Sequence, residues 1–97
     1  MNTMNPNNVN QIGIVVESYN PDAQHRVVVV QLCEGKNYFF FYVPEHPAVE
    51  FGDIFLMNFY AEKYKLCRGN DRLTYSIHPL TFPGNLLLEL ISERMNQ

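Results

Sequence analysis

The apolar residues of the chain are arranged in the way that is typical of a β-rich domain. Val27–Leu32 and Tyr38–Val43 are two runs rich in β-branched and aromatic residues, which favour a pleated and half-buried surface. Between them lies Glu34-Gly35-Lys36-Asn37, with a glycine where a short hairpin connection needs a positive φ angle. The pattern therefore predicts a β-hairpin with an unusually aromatic second strand.

Alternating apolar and polar positions predict three further strands, and residues 61–67 either continue the fourth strand or bend away from it. The predicted strands are Gln11–Tyr19, His25–Leu32, Tyr38–Val43, Ile54–Tyr60 and Leu73–His78. Short strands at regular spacing favour a small antiparallel barrel. Closure would also remove free edges that would otherwise promote aggregation. We therefore expect a mainly β protein with a five-stranded antiparallel barrel.

The pattern changes after Pro79, where a helical period replaces the alternation. Leu86–Met95 has apolar residues on one side, with Glu89 and Glu93 on the other, and Asn85 precedes it as an N-cap. The sequence therefore predicts a C-terminal amphipathic helix at about residues 85–95. We expect it to pack over an open end or edge of the sheet.

The turn before the fourth strand carries a resemblance to a known fold family. Phe51-Gly52-Asp53 precedes Ile54-Phe55-Leu56-Met57, and a polar connection then leads to Leu73–Ile77. This layout resembles the last two strands of an OB-fold, and the order of the preceding strands is similar over residues 11–78. An SH3-like barrel fits the same pattern. The OB-fold resemblance implies a five-stranded barrel that could bind single-stranded nucleic acid.

Length and charge restrict the classes of partner. The 97 residues suffice for one domain, which we place at residues 11–97, after an asparagine-rich arm at residues 1–10 that is predicted to be disordered. The formal net charge is −3, with seven Lys and Arg residues in all. Proteins that bind duplex DNA through its phosphates usually carry a concentrated positive charge, so this composition argues against that class.

The reactive residue types do not form a recognisable catalytic or metal-binding motif. Cys33 and Cys67 are too few for a disulfide scaffold, so we expect free thiols and a cytoplasmic protein. The three histidines are not at metal-ligand spacing with each other or with the cysteines. We expect no enzymatic activity, no metal and no cofactor. The first residues have no basic start and no apolar segment, so we expect that they are not a signal peptide, and no apolar run of the sequence is long enough to span a bilayer.

The third strand supplies the first candidate binding site. Tyr38, Phe40 and Tyr42 alternate with Phe39, Phe41 and Val43, so one set must face the core. The set with two tyrosines is the better candidate for exposure, because a phenol tolerates water at its tip. These three residues would bind a protein partner if exposed. The alternative is that the C-terminal helix or a second subunit covers them.

A second candidate site combines the only local cluster of positive charge with aromatic residues, a pattern that single-strand binders use. Its members are Tyr60, Lys63, Tyr64, Lys65, Arg68 and Arg72. The leading interpretation is nevertheless a non-catalytic protein-interaction module, an adaptor or inhibitor that self-associates through a strand edge or the helix. Binding of single-stranded nucleic acid by an OB-fold is the alternative.

Overall fold

Six β-strands and one α-helix are present in residues 10–69 and 73–95, which are the residues that the computed structural model describes. The strands are β1 (Gln11–Asp22), β2 (His25–Leu32), β3 (Tyr38–Pro44), β4 (Ile54–Asn58), β5 (Lys63–Arg68) and β6 (Leu73–Ile77), and the helix is α1 (Leu86–Met95). The predicted arm at residues 1–10 lies outside the described residues except for Asn10. The described chain has no helix long and apolar enough to cross a membrane.

All six strands belong to one antiparallel sheet in the order β3-β2-β1-β4-β5-β6. The strand β1 lies inside the sheet, where its first four residues pair with β4 on one side and Gly13 to Asp22 pair with β2 on the other, with two irregularities in the register. The predicted hairpin of β2 and β3 is confirmed, and Gly35 in its connection has a φ of 109°.

A β-bulge at Val16 divides β1 into two parts. Val15 pairs with Val30 and Glu17 pairs with Val29, so Val16 is an extra residue on β1. Because a bulge shifts the alternation of side chains, Gly13 and Val15 face the inner core before it, and Ser18 continues that face after it, opposite Val28.

The prediction of a five-stranded barrel is wrong in strand number, because residues 59–62 form a turn. Asn58 accepts a hydrogen bond from the Ala61 amide through its side-chain oxygen, at 3.0 Å, and Glu62 has a φ of 54°. The chain reverses there, and Lys63–Arg68 forms the separate strand β5. Phe59 and Tyr60 have strand-forming side chains, which is why the sequence pattern extended the fourth strand across this turn.

The predicted closure is also absent, since β3 and β6 end the sheet without a ladder between them. After β6 the chain contacts β3 at a single isolated bridge, where the Leu80 amide donates to the Tyr42 carbonyl at 2.7 Å. Pro79 precedes this bridge and has no amide hydrogen, so it cannot donate to a continued ladder. The described structure is mainly β with an open, curved sheet.

The inner face of the sheet curves around the main apolar core. Buried residues from all six strands meet there, together with Val49 from the loop before β4. Phe41 on β3 contacts Phe55 on β4 and Tyr64 on β5, with ring centroids 5.1 and 5.4 Å apart. These strands are separated by others in the sheet order, so the contacts require the sheet to curl.

A second, smaller core lies on the outer face, between the sheet and α1. Val27, Tyr42 and Leu90 are its buried members. The predicted helix is confirmed with bounds Leu86–Met95, and the Asn85 carbonyl accepts the Glu89 amide at 3.0 Å. Asn85 therefore occupies the N-cap position, where the backbone carbonyl accepts the first bond of the helix.

Candidate protein-docking surface

The aromatic row predicted on β3 is progressively covered by α1. Tyr42 is 7% exposed, and its ring stacks on that of His25 with centroids 4.8 Å apart. Burial and the nearby Asp22 carboxylate raise the pKa of the Tyr42 phenol. Phe40 is half-buried against the same small core, and Tyr38 is 42% exposed. Tyr38 alone keeps the exposure expected of a binding residue, and the helix covers the rest of the row.

Arg94 fixes the position of α1 relative to this row. Its guanidinium lies 4.6 Å from the centre of the Tyr38 ring and 5.8 Å from that of Phe40. The same guanidinium donates to the Glu17 carboxylate on β1 at 2.5 Å. A shallow groove lies between β3 and the end of α1, and it is lined by Tyr38, Phe40, Ile91, Arg94 and Met95. The Arg94 guanidinium in this groove is already in an ion pair with Glu17.

The residues predicted to bind nucleic acid are divided between the two faces of the sheet. Lys63 and Lys65 are exposed on the outer face of β5, whereas Tyr64 packs inward against Phe41 and Phe59. Burial, with a smaller effect of Glu62, raises the pKa of the Tyr64 phenol. Strand alternation thus separates this aromatic ring from the two lysines that it was expected to join.

Arg68 is held by a carboxylate and is not available to a phosphate. Its Nη2 and Nε donate to the two Asp53 oxygens at 2.6 and 3.1 Å, and Nη2 also donates to the Ala48 carbonyl. These bonds raise the pKa of Arg68 above its ordinary value. Tyr60 is exposed in the turn between β4 and β5, and Arg72 lies outside the described residues.

An exposed aliphatic surface that the sequence analysis did not identify lies on the outer face of β1 and β4. Ile12 pairs with Leu56 and Ile14 pairs with Ile54, so the four side chains form one block across two neighbouring strands. The three isoleucines are 50%, 38% and 37% exposed in chain order, and Leu56 is half-buried. We call these four residues the aliphatic face.

The aliphatic face remains exposed because α1 covers only the other half of the outer surface. The helix contacts β2 and β3 through Leu90, which packs with Val27 and Tyr42. It reaches β1 beyond the bulge, at Glu17. Within residues 10–69 and 73–95, no second helix is present to cover the first half of β1 and β4.

Two lysines border the aliphatic face on the side of β5. Lys65 pairs with Leu56 across the sheet, and Lys63 pairs with Asn58. Neither lysine forms an ion pair with any residue that the structure describes. The described arginines differ in this respect, since each one is bound to a carboxylate. The surface therefore combines exposed aliphatic side chains with uncompensated positive charge.

Carboxylates gather along one flank of α1. Glu89 and Glu93 on the helix and Glu17 on β1 lie near Tyr19, and their charges add to burial in raising the pKa of that phenol. Tyr19 and Phe51 line a groove there with Glu17 and Glu93. Three carboxylates and two aromatic side chains thus lie close together beside this flank of α1.

One signal in the sequence could have indicated the aliphatic face. Ile12 and Ile14 alternate with Gly13 and Val15, and Ile54 and Leu56 alternate with Phe55 and Met57, so both faces of these strands are apolar. A strand that is apolar on both faces needs a cover on each. A single ten-residue helix cannot cover the whole outer surface of a six-stranded sheet.

The described residues form no metal site, and the aliphatic face is the main indication of function. In the described ranges, no three His, Cys, Asp or Glu side chains are grouped in a way that could hold a metal ion. Cys33 and Cys67 are free thiols, the first exposed and the second half-buried. No protein-family model, no curated protein and no solved structure matches this chain.

Proposed function

We propose that this protein is a non-catalytic protein-interaction module, an adaptor or inhibitor, that docks a partner through the aliphatic face. The observation that carries the proposal is the block of paired aliphatic residues on β1 and β4, which is exposed beside the region that α1 covers. Contiguous exposed apolar surface of this kind is characteristic of interaction sites. Burial of apolar area contributes about 25 cal/mol per Å².

The two lysines indicate the chemistry of the partner. Lys63 and Lys65 flank the apolar block, so a partner with carboxylates beside its own apolar side chains would be complementary in both charge and hydrophobicity. Tyr38 extends the surface in the same cross-strand row, because it pairs with Gln31, which in turn pairs with Ile14. This residue keeps the protein-binding role predicted for the aromatic row, whereas Phe40 and Tyr42 mainly anchor α1.

Binding of a defined peptide probe tests the proposal. We expect a synthetic amphipathic helical peptide, with leucines on one side flanked by glutamates, to shift the NMR methyl signals of Ile12, Ile14 and Ile54. Ile14→Gln removes apolar area from the centre of the block and should weaken binding by about tenfold, or about 1.4 kcal/mol. A peptide with lysines in place of the glutamates should bind more weakly than the acidic one.

Leu73→Gln is the matched control variant. Leu73 is an exposed aliphatic residue on β6, outside the aliphatic face, so its replacement should leave peptide affinity unchanged. Thermal melts of both variants would verify that the fold is retained. Equal affinity of the Ile14→Gln variant and the parent chain, or peptide-induced shifts confined to other regions, would contradict the proposal.

A further inference from the structure

We infer that two copies of this chain pair through the free edge of β6, so that one sheet continues from the first copy into the second. This inference goes beyond the proposed function, because it uses the edge of the sheet and not the aliphatic face. The occupant of the edge is β6 of the second copy, in antiparallel orientation, with a two-fold axis at Tyr75. The contact is isologous, since each copy offers the same strand.

The strand β6 has backbone groups without a partner along one side. It pairs with β5 over Leu73–Ile77, and it is the last strand in the order of the sheet. In such an edge strand, alternate residues direct their amide and carbonyl groups away from the sheet. Among the described residues, no backbone hydrogen bond reaches β6 from that side. A further extended strand is the element that satisfies these groups.

The edge formed by β6 is also accessible. Residues 73–76 are exposed along this strand, and Ile77 is buried. The edge formed by β3 differs, because Leu80 bridges to Tyr42 there and the Phe82 ring packs on that of Tyr42, with centroids 5.6 Å apart. In the described sheet, β6 is therefore the more open of the two edges.

The composition of β6 lacks the features that keep an edge from pairing. Proteins protect exposed edges with charged residues, prolines and bulges. The strand reads Leu-Thr-Tyr-Ser-Ile, without charge or proline, and its register with β5 is regular. The absence of charge favours a second copy as the occupant, because a chain of net charge −3 then meets its own copy without like charges directly opposite each other.

The sequence of β6 is complementary to itself in this antiparallel register. With Tyr75 on the two-fold axis, Leu73 lies opposite Ile77 of the second copy, and Thr74 lies opposite Ser76. These pairs preserve the alternation of the strand, since the apolar residues share the face of Ile77, which belongs to the inner core. Aromatic pairs and hydroxyl pairs of this kind stabilise sheets, so each position of β6 gains a suitable neighbour.

The nearest unpaired cations of the two copies stay apart in this arrangement. Lys65 on β5 lies in the same cross-strand row as Ser76, and Cys67 lies in the row of Thr74. The row of Lys65 therefore continues through Thr74 to Cys67 of the second copy. The two Lys65 backbone positions are thus separated by more than three strand spacings, about 14 Å, which exceeds the Debye length of about 8 Å at physiological ionic strength.

Sedimentation velocity of the full chain from about 10 μM to about 1 mM tests the inference. A five-residue edge buries little area, and small interfaces are weak, so we expect a monomer–dimer equilibrium with a Kd of about 100 μM. Tyr75→Lys places two ammonium groups opposite each other and should raise this Kd by about tenfold. Tyr60→Lys is the matched control, because Tyr60 is exposed in the turn between β4 and β5, and its Kd should equal that of the parent chain.

The decisive sample is an equimolar mixture of Tyr75→Lys and Tyr75→Glu. Each variant alone should lose dimerisation, and the mixture should recover it as a 1:1 dimer, because opposite charges then meet at the two-fold axis. Circular dichroism would verify that both variants fold. A mixture that stays monomeric under conditions where the parent chain dimerises would overturn the pairing at Tyr75.

Hydrogen exchange of the parent chain gives a second readout that needs no variant. The amides of β6 should exchange more slowly as the protein concentration rises, whereas those of β1 and β4 should not change. A parent chain that stays monomeric up to about 1 mM would overturn the inference, and so would a dimer without slower exchange in β6. The peptide assay reports on β1 and β4, so the two proposals can fail separately.

Discussion

Gly13 shows how a single residue sets the distance between two strands. A Cβ atom at this position would lie 2.4 Å from Val30 Cγ1 and 2.9 Å from the Gln31 carbonyl oxygen. Both distances are shorter than a van der Waals contact, and neither a β-branched side chain nor a backbone oxygen can move away freely. The absence of a side chain here allows β2 to approach β1 beneath the aliphatic face.

Gly13→Ala should therefore destabilise the protein by overpacking. We expect the free energy of unfolding to fall by about 1–3 kcal/mol, measured by urea denaturation. Val30→Ala removes the nearest obstructing atom, so the cost of Gly13→Ala should be smaller in a Val30→Ala background. An unchanged free energy of unfolding for Gly13→Ala would show that β1 and β2 are not this closely packed.

Asp53 illustrates what can be inferred for a residue from sequence and what cannot. The Gly52-Asp53 pair predicted a turn that opens a strand, and β4 does begin at Ile54, with Gly52 at a φ of 89°. The ion pair of Asp53 with Arg68 was not predicted. It joins residues 15 positions apart, and it forms because β4 and β5 are paired, which depends on a turn that the pattern missed.

The helix α1 is the element that decides which part of the outer surface is available. Leu90 is the buried residue of this helix and packs on β2 and β3, and the ion pair of Arg94 with Glu17 fixes the end of the helix. An isolated helix of ten residues is only marginally stable in water, so these contacts maintain it. Loss of the Leu90 side chain should loosen the helix and expose Tyr42 and Phe40.

We expect Leu90→Ala to reduce the free energy of unfolding by about 2–5 kcal/mol and to speed hydrogen exchange of the α1 amides. Leu88→Ala is the matched control, since Leu88 is exposed on the same helix and surface substitutions usually change stability by less than about 0.5 kcal/mol. Equal effects of the two substitutions in dilute protein would show that α1 does not pack through Leu90.

Elements with a strong local pattern were predictable, and elements that depend on a turn were less so. The bounds of α1 and the β2–β3 hairpin follow from periodicity and from Gly35. The strand β5 did not follow, because the side-chain bond of Asn58 and the left-handed backbone of Glu62 end β4 without a Gly or Pro signal.

The charge of the whole molecule is distributed in a way that disfavours nucleic acid. Net charge is −3, the described arginines are all bound to carboxylates, and Tyr64 faces the core. Within the second candidate site, exposed positive charge outside any ion pair is limited to Lys63 and Lys65 in the described region. A sequence alone could not show this, because it depends on which cations find partners across the fold.

Fluorescence anisotropy of a labelled single-stranded oligonucleotide should therefore show no binding at micromolar protein, even at low salt. Phosphate contacts are few, and their contribution would fall further as salt rises. Salt-sensitive binding that is lost in a Lys63→Ala/Lys65→Ala variant would instead restore the nucleic-acid interpretation. Lys36→Ala, which removes an exposed lysine from the β2–β3 connection, is the matched control.

The described arginines form ion pairs and the lysines do not, and this difference has a consequence for covalent regulation. In the described part of the chain, the arginines hold the fold together by bidentate or paired contacts, while all three lysines are exposed and unpaired. Arginine suits fixed carboxylate pairs, and lysine is the usual target of acetylation. Acetylation of Lys63 and Lys65 would thus neutralise the border of the aliphatic face without affecting a described ion pair of the fold, so it should weaken docking of an acidic partner while the fold persists.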